Sequence, residues 1–151
     1  MDDLYTMPGH LIRRVQQVSS ALFLEECGRF DLTSVQFAAL MAIRSHPKID
    51  ATRLSTLIAF DRSTLGDVLE RLEKKGWVVR SASTHDKRIK VLSLSKEGAK
   101  VLKRVMPAVR RTQYRLLEPL APEDRQTIVR LLSKIADIHN DMLPAPILAK
   151  E

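Results

Sequence analysis

The run from Phe60 to Leu94, FDRSTLGDVLERLEKKGWVVRSASTHDKRIKVLSL, constrains the fold more than any other part of this 151-residue chain. Its order is helix, glycine stop, strand, charged tip, strand. Asp61 stands where an N-cap is wanted, and Leu65, Val68, Leu69 and Leu72 recur at helical spacing, leaving Ser63, Asp67, Glu70 and Lys74 on the opposite face. Gly76 follows the cationic turn of Lys74 and Lys75 and suits a left-handed C-terminal cap. Two β-rich runs, Trp77 to Ala82 and Ile89 to Leu94, flank a polar tip from Ser83 to Arg88. One side of the helix packs and the other meets a partner. A helix beside a basic hairpin points to a DNA reader in two parts.

Charge agrees with that partner. Lys and Arg exceed Asp and Glu by +7, with a pI near 9.9, so a polyanion is the first ligand to consider. The 44% hydrophobic and 28% charged content is that of a folded domain rather than a disordered chain. The single cysteine, Cys27, excludes an internal disulfide framework and any Cys-cluster metal site. No apolar run approaches the roughly 20 residues that span a bilayer, and the start MDDLYTMPGH lacks a signal peptide, so no membrane partner and a cytoplasmic location are expected. The chain carries no HExxH, GxSxG or phosphate-binding glycine loop, and His10, His46, His85 and His139 lie in four separate elements. An enzyme is not expected, nor a metal or cofactor.

Taken in order, Pro8 to Gly28 predicts a long helix with Met7, Leu11, Val15, Val18 and Leu22 on one stripe. Thr33 and Gln36 have the spacing of a capping box, with Leu32 and Phe37 as its hydrophobic staple, and Pro47 ends that second helix near His46. Asp50 caps a short third helix. Beyond the hairpin, Ser95 caps a long helix expected to bend at Pro107, and Pro122 with Glu123 and Asp124 opens the last one. Its stripe of Ile128, Leu131, Leu132, Ile135, Ile138, His139 and Met142 is wider than one domain face needs, which favours a two-fold homodimer on a pseudo-palindromic duplex.

Three blocks together resemble the MarR family of winged-helix transcriptional regulators. They are LTSVQFAALMAI at Leu32 to Ile43, DRSTLGDVLERLEKKGWVVR at Asp61 to Arg80, and DKRIKVLSLSKEG at Asp86 to Gly98. Within that family, the Thr64–Leu65–Gly66 step and the RRVQQ run resemble regulators of aromatic-compound catabolism. The resemblance implies a mainly α fold with a small β-hairpin wing, in which residues 31–95 form the winged helix-turn-helix and residues 1–30 with 96–146 form the helical dimerisation region. It implies that the helix from Arg62 to Lys75 enters the major groove and that Arg88, at the wing tip, enters the minor groove. The expected DNA contacts are Thr52, Arg62, Ser63, Thr64, Gly66, Asp67, Arg71, Lys74, Asp86, Lys87, Arg88 and Lys90. Ser63 and Thr64 can bond phosphate or base edges, Gly66 admits a thymine methyl, and Asp86 can hold Arg88 in place. Asp67 departs from the basic or neutral residue common there. It is expected to pair with Arg71 one turn later, the alternative being that it accepts from cytosine N4.

A polar line of His10, Arg13, Arg14 and Gln17 runs along the first helix. Family members commonly hold a small effector between the dimer helices and the reader, and a carboxylate there wants a guanidinium, with Phe37, Leu40 and Met41 as the apolar wall. A small aromatic carboxylate or its coenzyme A thioester fits both halves; a solvated or dimer-bridging role for the arginines is the alternative. Effector binding is expected to release a repressor from its operator. Two further readings stand beside this one: a constitutive architectural DNA-binding protein, and a redox switch at Cys27, which lies at the end of its helix where a buried structural thiol is the expectation.

Overall fold

The computed structural model describes residues 3–139. Helix α1 spans Pro8–Cys27, α2 Ser34–Ser45, and a two-residue strand β1 Ile49–Asp50 leads into α3, Ala51–Leu57. Then come α4, Arg62–Lys74, strands β2, Val78–Ala82, and β3, Lys90–Leu94, and the helices α5, Lys96–Leu117, and α6, Pro122–Ile138. The C-terminal end of the expected dimerisation region, with Met142, lies outside the described residues. Among the described residues no helix is long and apolar enough to cross a membrane.

Helices α1 and α6 open on Pro8 and Pro122, whereas the starts of α2 to α5 follow from side-chain oxygens placed three residues ahead of an unpaired amide. Thr33 Oγ1 accepts from Gln36 N at 3.2 Å while Gln36 Oε1 accepts from Thr33 N at 3.2 Å, so the capping box is formed. Asp50 accepts from Arg53 N at 2.8 Å, Asp61 from Thr64 N at 3.2 Å and Ser95 from Gly98 N at 3.0 Å. At the other end of α4, Gly76 has φ +73, the left-handed value the glycine was expected to supply. Helix α5 runs unbroken through Pro107 to Leu117.

The wing is larger than a hairpin. The sheet has three antiparallel strands in the order β1-β3-β2, with Ile49 opposite Leu92 and Asp50 opposite Val91. Two residues are too few to show a strand period, and Asp50 doubles as a helix cap, so β1 leaves no signature in the sequence. The pairing fixes α3 to the inner strand of the wing and thereby sets the distance from α3 and α4 to the wing tip.

One core joins these parts. Leu65, Leu69 and Leu72 of α4 are fully covered, along with Leu40 and Ile43 of α2, Leu54 of α3, Leu92 of β3, and Leu102 and Val105 of α5. Helix α1 lies along α5, and Glu26 binds Arg111 Nε at 2.9 Å and Arg115 Nη1 at 3.0 Å across that seam. These two guanidinium bonds hold the Glu26 carboxyl below its usual range. By contrast, α6 buries none of its residues. Leu131, Leu132, Ile135 and Ile138 stay exposed on it, as do Leu11, Val15 and Val18 on α1 and Met7 just ahead of it.

Candidate nucleic-acid interface

Helix α4 turns Leu65, Leu69 and Leu72 inward, so Ser63, Asp67 and Arg71 follow one another along its outer side at one-turn spacing. All three are exposed. Beside the helix start, α3, β2 and the wing enclose an open groove of about 680 Å³. Thr52 and Arg53 come from α3, Arg62 from α4, Arg80 from β2, and Arg88 and Lys90 from the wing. The groove's one acid, Asp50, already caps α3. Five cations with a single engaged carboxylate make this a surface for a polyanion.

The wing tip is built around one residue. Asp86 accepts from Arg88 Nε at 3.1 Å, from Nη2 at 3.0 Å and from the Arg88 amide at 3.0 Å. The guanidinium is thus gripped in a two-toothed fork while the Arg88 side chain remains 90% exposed. The side-chain bonds and then the amide hold the Asp86 carboxyl below the ordinary aspartate range and raise Arg88 further. The pair therefore persists at neutral pH and is lost only as pH falls through that lowered value. Lys87, next to it, is exposed.

At the helix start the geometry differs from expectation in one respect. Ser63 Oγ donates to the Asp61 carboxylate, and Thr64 Oγ1 donates to Asp61 at 3.2 Å. Both hydroxyls spend their protons on the cap and offer outward only lone pairs. The Ser63 bond and then the Thr64 amide lower the Asp61 pKa, so the cap is charged wherever DNA is bound. At Gly66 a Cβ would meet nothing within 4 Å, so packing within the protomer does not itself require a glycine there.

The expected Asp67–Arg71 pair is not formed. Lys74 pairs with Glu70 at 3.1 Å, Arg80 with Glu73 at 2.6 Å, and Lys75 with Asp31 at 3.2 Å. Arg71 instead lines a second recess, of about 380 Å³, against Leu24, Gly28 and Leu32. An exposed ion pair one helical turn apart contributes only about 0.3–0.5 kcal/mol, too little to hold the arginine. Asp67 has no ion pair or side-chain hydrogen bond with any described residue.

The MarR family profile matches residues 32–90. Over 135 residues the chain is 30% identical to the HTH-type transcriptional repressor NicR of Pseudomonas putida, covering 89% of this chain and 85% of NicR. The chain belongs to the MarR family. It is a DNA-binding transcriptional regulator rather than an enzyme. Two solved MarR-like structures superpose over nearly the whole fold. One concerns regulation of DNA binding of Bordetella bronchiseptica BpsR by 6-hydroxynicotinic acid, with a TM-score of 0.87, 27% identity and coverage of 91% of this chain and 98% of that one. The other is the transcriptional repressor CouR bound to a 23-mer DNA duplex, with a TM-score of 0.84, 29% identity and coverage of 90% and 96%.

The residues expected to hold an effector in this MarR-family chain do not gather in one place within the protomer. Leu40 is fully covered in the core and lines no opening. Phe37 leans on Phe23, ring centroids 6.1 Å apart, and Met41 borders a shallow recess between α2 and α3. Arg14 lines a different, apolar recess of about 330 Å³ with Leu11, Val15, Leu116, Leu120 and Ile128. His10 meets the edge of Tyr5 at 5.7 Å, Arg14 stands 5.9 Å over the same ring, and His10 Nε2 is buried with no partner among the described residues. Arg13 and Gln17 are exposed on the same helix. Cys27 is fully covered, and burial pushes its thiol pKa up, the opposite of what a reactive thiolate needs.

Three further side chains at these candidate sites carry no local signal in the sequence strong enough to single them out. Arg53 and Arg80 join the groove only through tertiary packing; strand alternation puts Arg80 on the same face as the buried Val78, so its exposure runs against the local pattern. Tyr5 precedes Pro8 and so falls outside the helical stripe that draws attention to His10.

Proposed function

We propose that the protein is a homodimeric repressor that reads a pseudo-palindromic operator, with α4 in the major groove and Arg88 in the flanking minor groove, and that a small aromatic carboxylate or its thioester releases it. The basic groove joining α3, α4 and a pre-held wing arginine carries the reading. Phosphates following Arg53, Arg62, Arg80 and Lys90 would set the register, while the α4 face meets base edges. Thr52, Lys74 and Lys87 add to the sequence-independent grip. The uncovered apolar faces of α1 and α6 support a second copy as their cover, because exposed patches of this kind mark association surfaces.

For the effector, the support is the Arg14 guanidinium beside an apolar recess and the unpartnered His10 Nε2 a turn away. An aromatic acid supplies an anion for the first and a ring for the wall. NicR is a repressor, and 6-hydroxynicotinic acid regulates DNA binding by BpsR. An effector that binds one dimer geometry better than another shifts the spacing of the two readers and so the operator affinity. The constitutive architectural alternative differs in a single respect, indifference to small molecules.

Thermal-shift screening of aromatic carboxylates and their coenzyme A thioesters, followed by gel shifts on the intergenic DNA upstream of the gene, tests both halves. At least one compound should raise Tm and weaken the shifted band, and Arg14→Ala should abolish both effects. A protein that shifts the DNA and responds to none of the compounds is the architectural one.

A further inference from the structure

We infer that Asp67 reads a cytosine in each half-site. The inference rests on α4 entering the major groove. Between residues 31 and 95 the chain has seven carboxylates, and six are occupied, either capping helices or in ion pairs. Asp67 alone has no partner among the described residues, and it stands midway along the outer side of α4, opposite Leu65, Leu69 and Leu72. An unneutralised carboxylate at the centre of a surface for DNA repels phosphates, so its place there calls for a donor on the bases.

The neighbours sharpen the requirement. Ser63 and Thr64 give their hydroxyl protons to Asp61, so the stretch from Ser63 to Asp67 presents side-chain acceptors only. In the major groove guanine O6 and N7 and thymine O4 are acceptors and oppose such a surface; only cytosine N4 and adenine N6 donate. Adenine sets its N7 acceptor beside N6, a pattern that suits an amide and repels the second oxygen of a carboxylate. Cytosine has N4–H2 and no acceptor of its own on that edge. Asp67 therefore selects cytosine and rejects guanine and thymine at the same step.

Selection of binding sequences from a randomised duplex pool by the full chain tests this, with wild type, Asp67→Asn and Asp67→Ala run in parallel. Wild type should enrich one C·G pair, cytosine on the same strand, in each half-site. On duplexes differing only at that pair, its preference should be about tenfold or more, Asp67→Ala should erase it, and Asp67→Asn should move it to A·T. All other positions should keep their bases. Identical base preferences in the three proteins would overturn the inference, including the case where Asp67→Ala binds every sequence more tightly. Failure of wild type to enrich any sequence would instead overturn the placement of α4, and this inference with it.

Discussion

Replacing Gly98 with alanine should cost about 2 kcal/mol or more of stability, because the new methyl has nowhere to go. A Cβ at this position would lie 2.1 Å from Trp77 O and 3.0 Å from Trp77 C. That carbonyl cannot step aside, since it accepts from Ser95 N at 3.0 Å at the entry to α5. Ser95 also donates to Gly76 O at 2.5 Å, so the close approach ties the start of α5 to the left-handed end of α4. Pushing the helix away loosens the joint that carries both the reader and the long helix. Gly66→Ala gives the opposite sign under the same assay: nothing lies within 4 Å, and removing a mid-helix glycine stabilises by about 0.5–1 kcal/mol. Urea denaturation followed by circular dichroism separates the two. Equal midpoints for Gly98→Ala and wild type would contradict the packing described.

Arg88→Ala should weaken operator binding about tenfold to a hundredfold, and the salt slope should fall by roughly 0.9 for each phosphate that is no longer neutralised, or less where the guanidinium lies on the groove floor. The informative partner is Asp86→Ala. It leaves the cation and removes its grip, so the guanidinium of Arg88, already 90% exposed, must be ordered on the DNA at the moment of binding. Affinity should then drop by a smaller factor while the salt slope stays near wild type. Fluorescence anisotropy across a salt series reads both quantities. Unchanged affinity for Arg88→Ala would remove the wing from the mechanism.

What the sequence disclosed and what it concealed divide along the range of the interactions involved. The caps at Thr33, Asp50, Asp61 and Ser95, the glycine at Gly76 and the Asp86–Arg88 fork all act over two to four residues, and each is legible in the chain. Strand β1 is stabilised by pairing with residues more than 40 positions away, so no local pattern reveals it. The groove depends on Arg53 and Arg80 arriving from different elements, which only the packed fold decides. Leu40 shows a related difficulty: helical spacing says it is apolar and inward, and cannot say whether inward means the core or a cleft. Asp67 and Arg71 have the right spacing to pair, yet a weak exposed attraction does not oblige them to.

Hydroxyl-radical footprinting of the full chain on its operator probes the two-part dimeric reader most directly. Two copies each placing α4 in the major groove predict two protected patches related by a pseudo-two-fold axis, centred about one helical turn, or roughly 10 base pairs, apart, with flanking minor-groove protection that Arg88→Ala removes. Continuous protection with no preferred sequence, or one isolated patch, would contradict it.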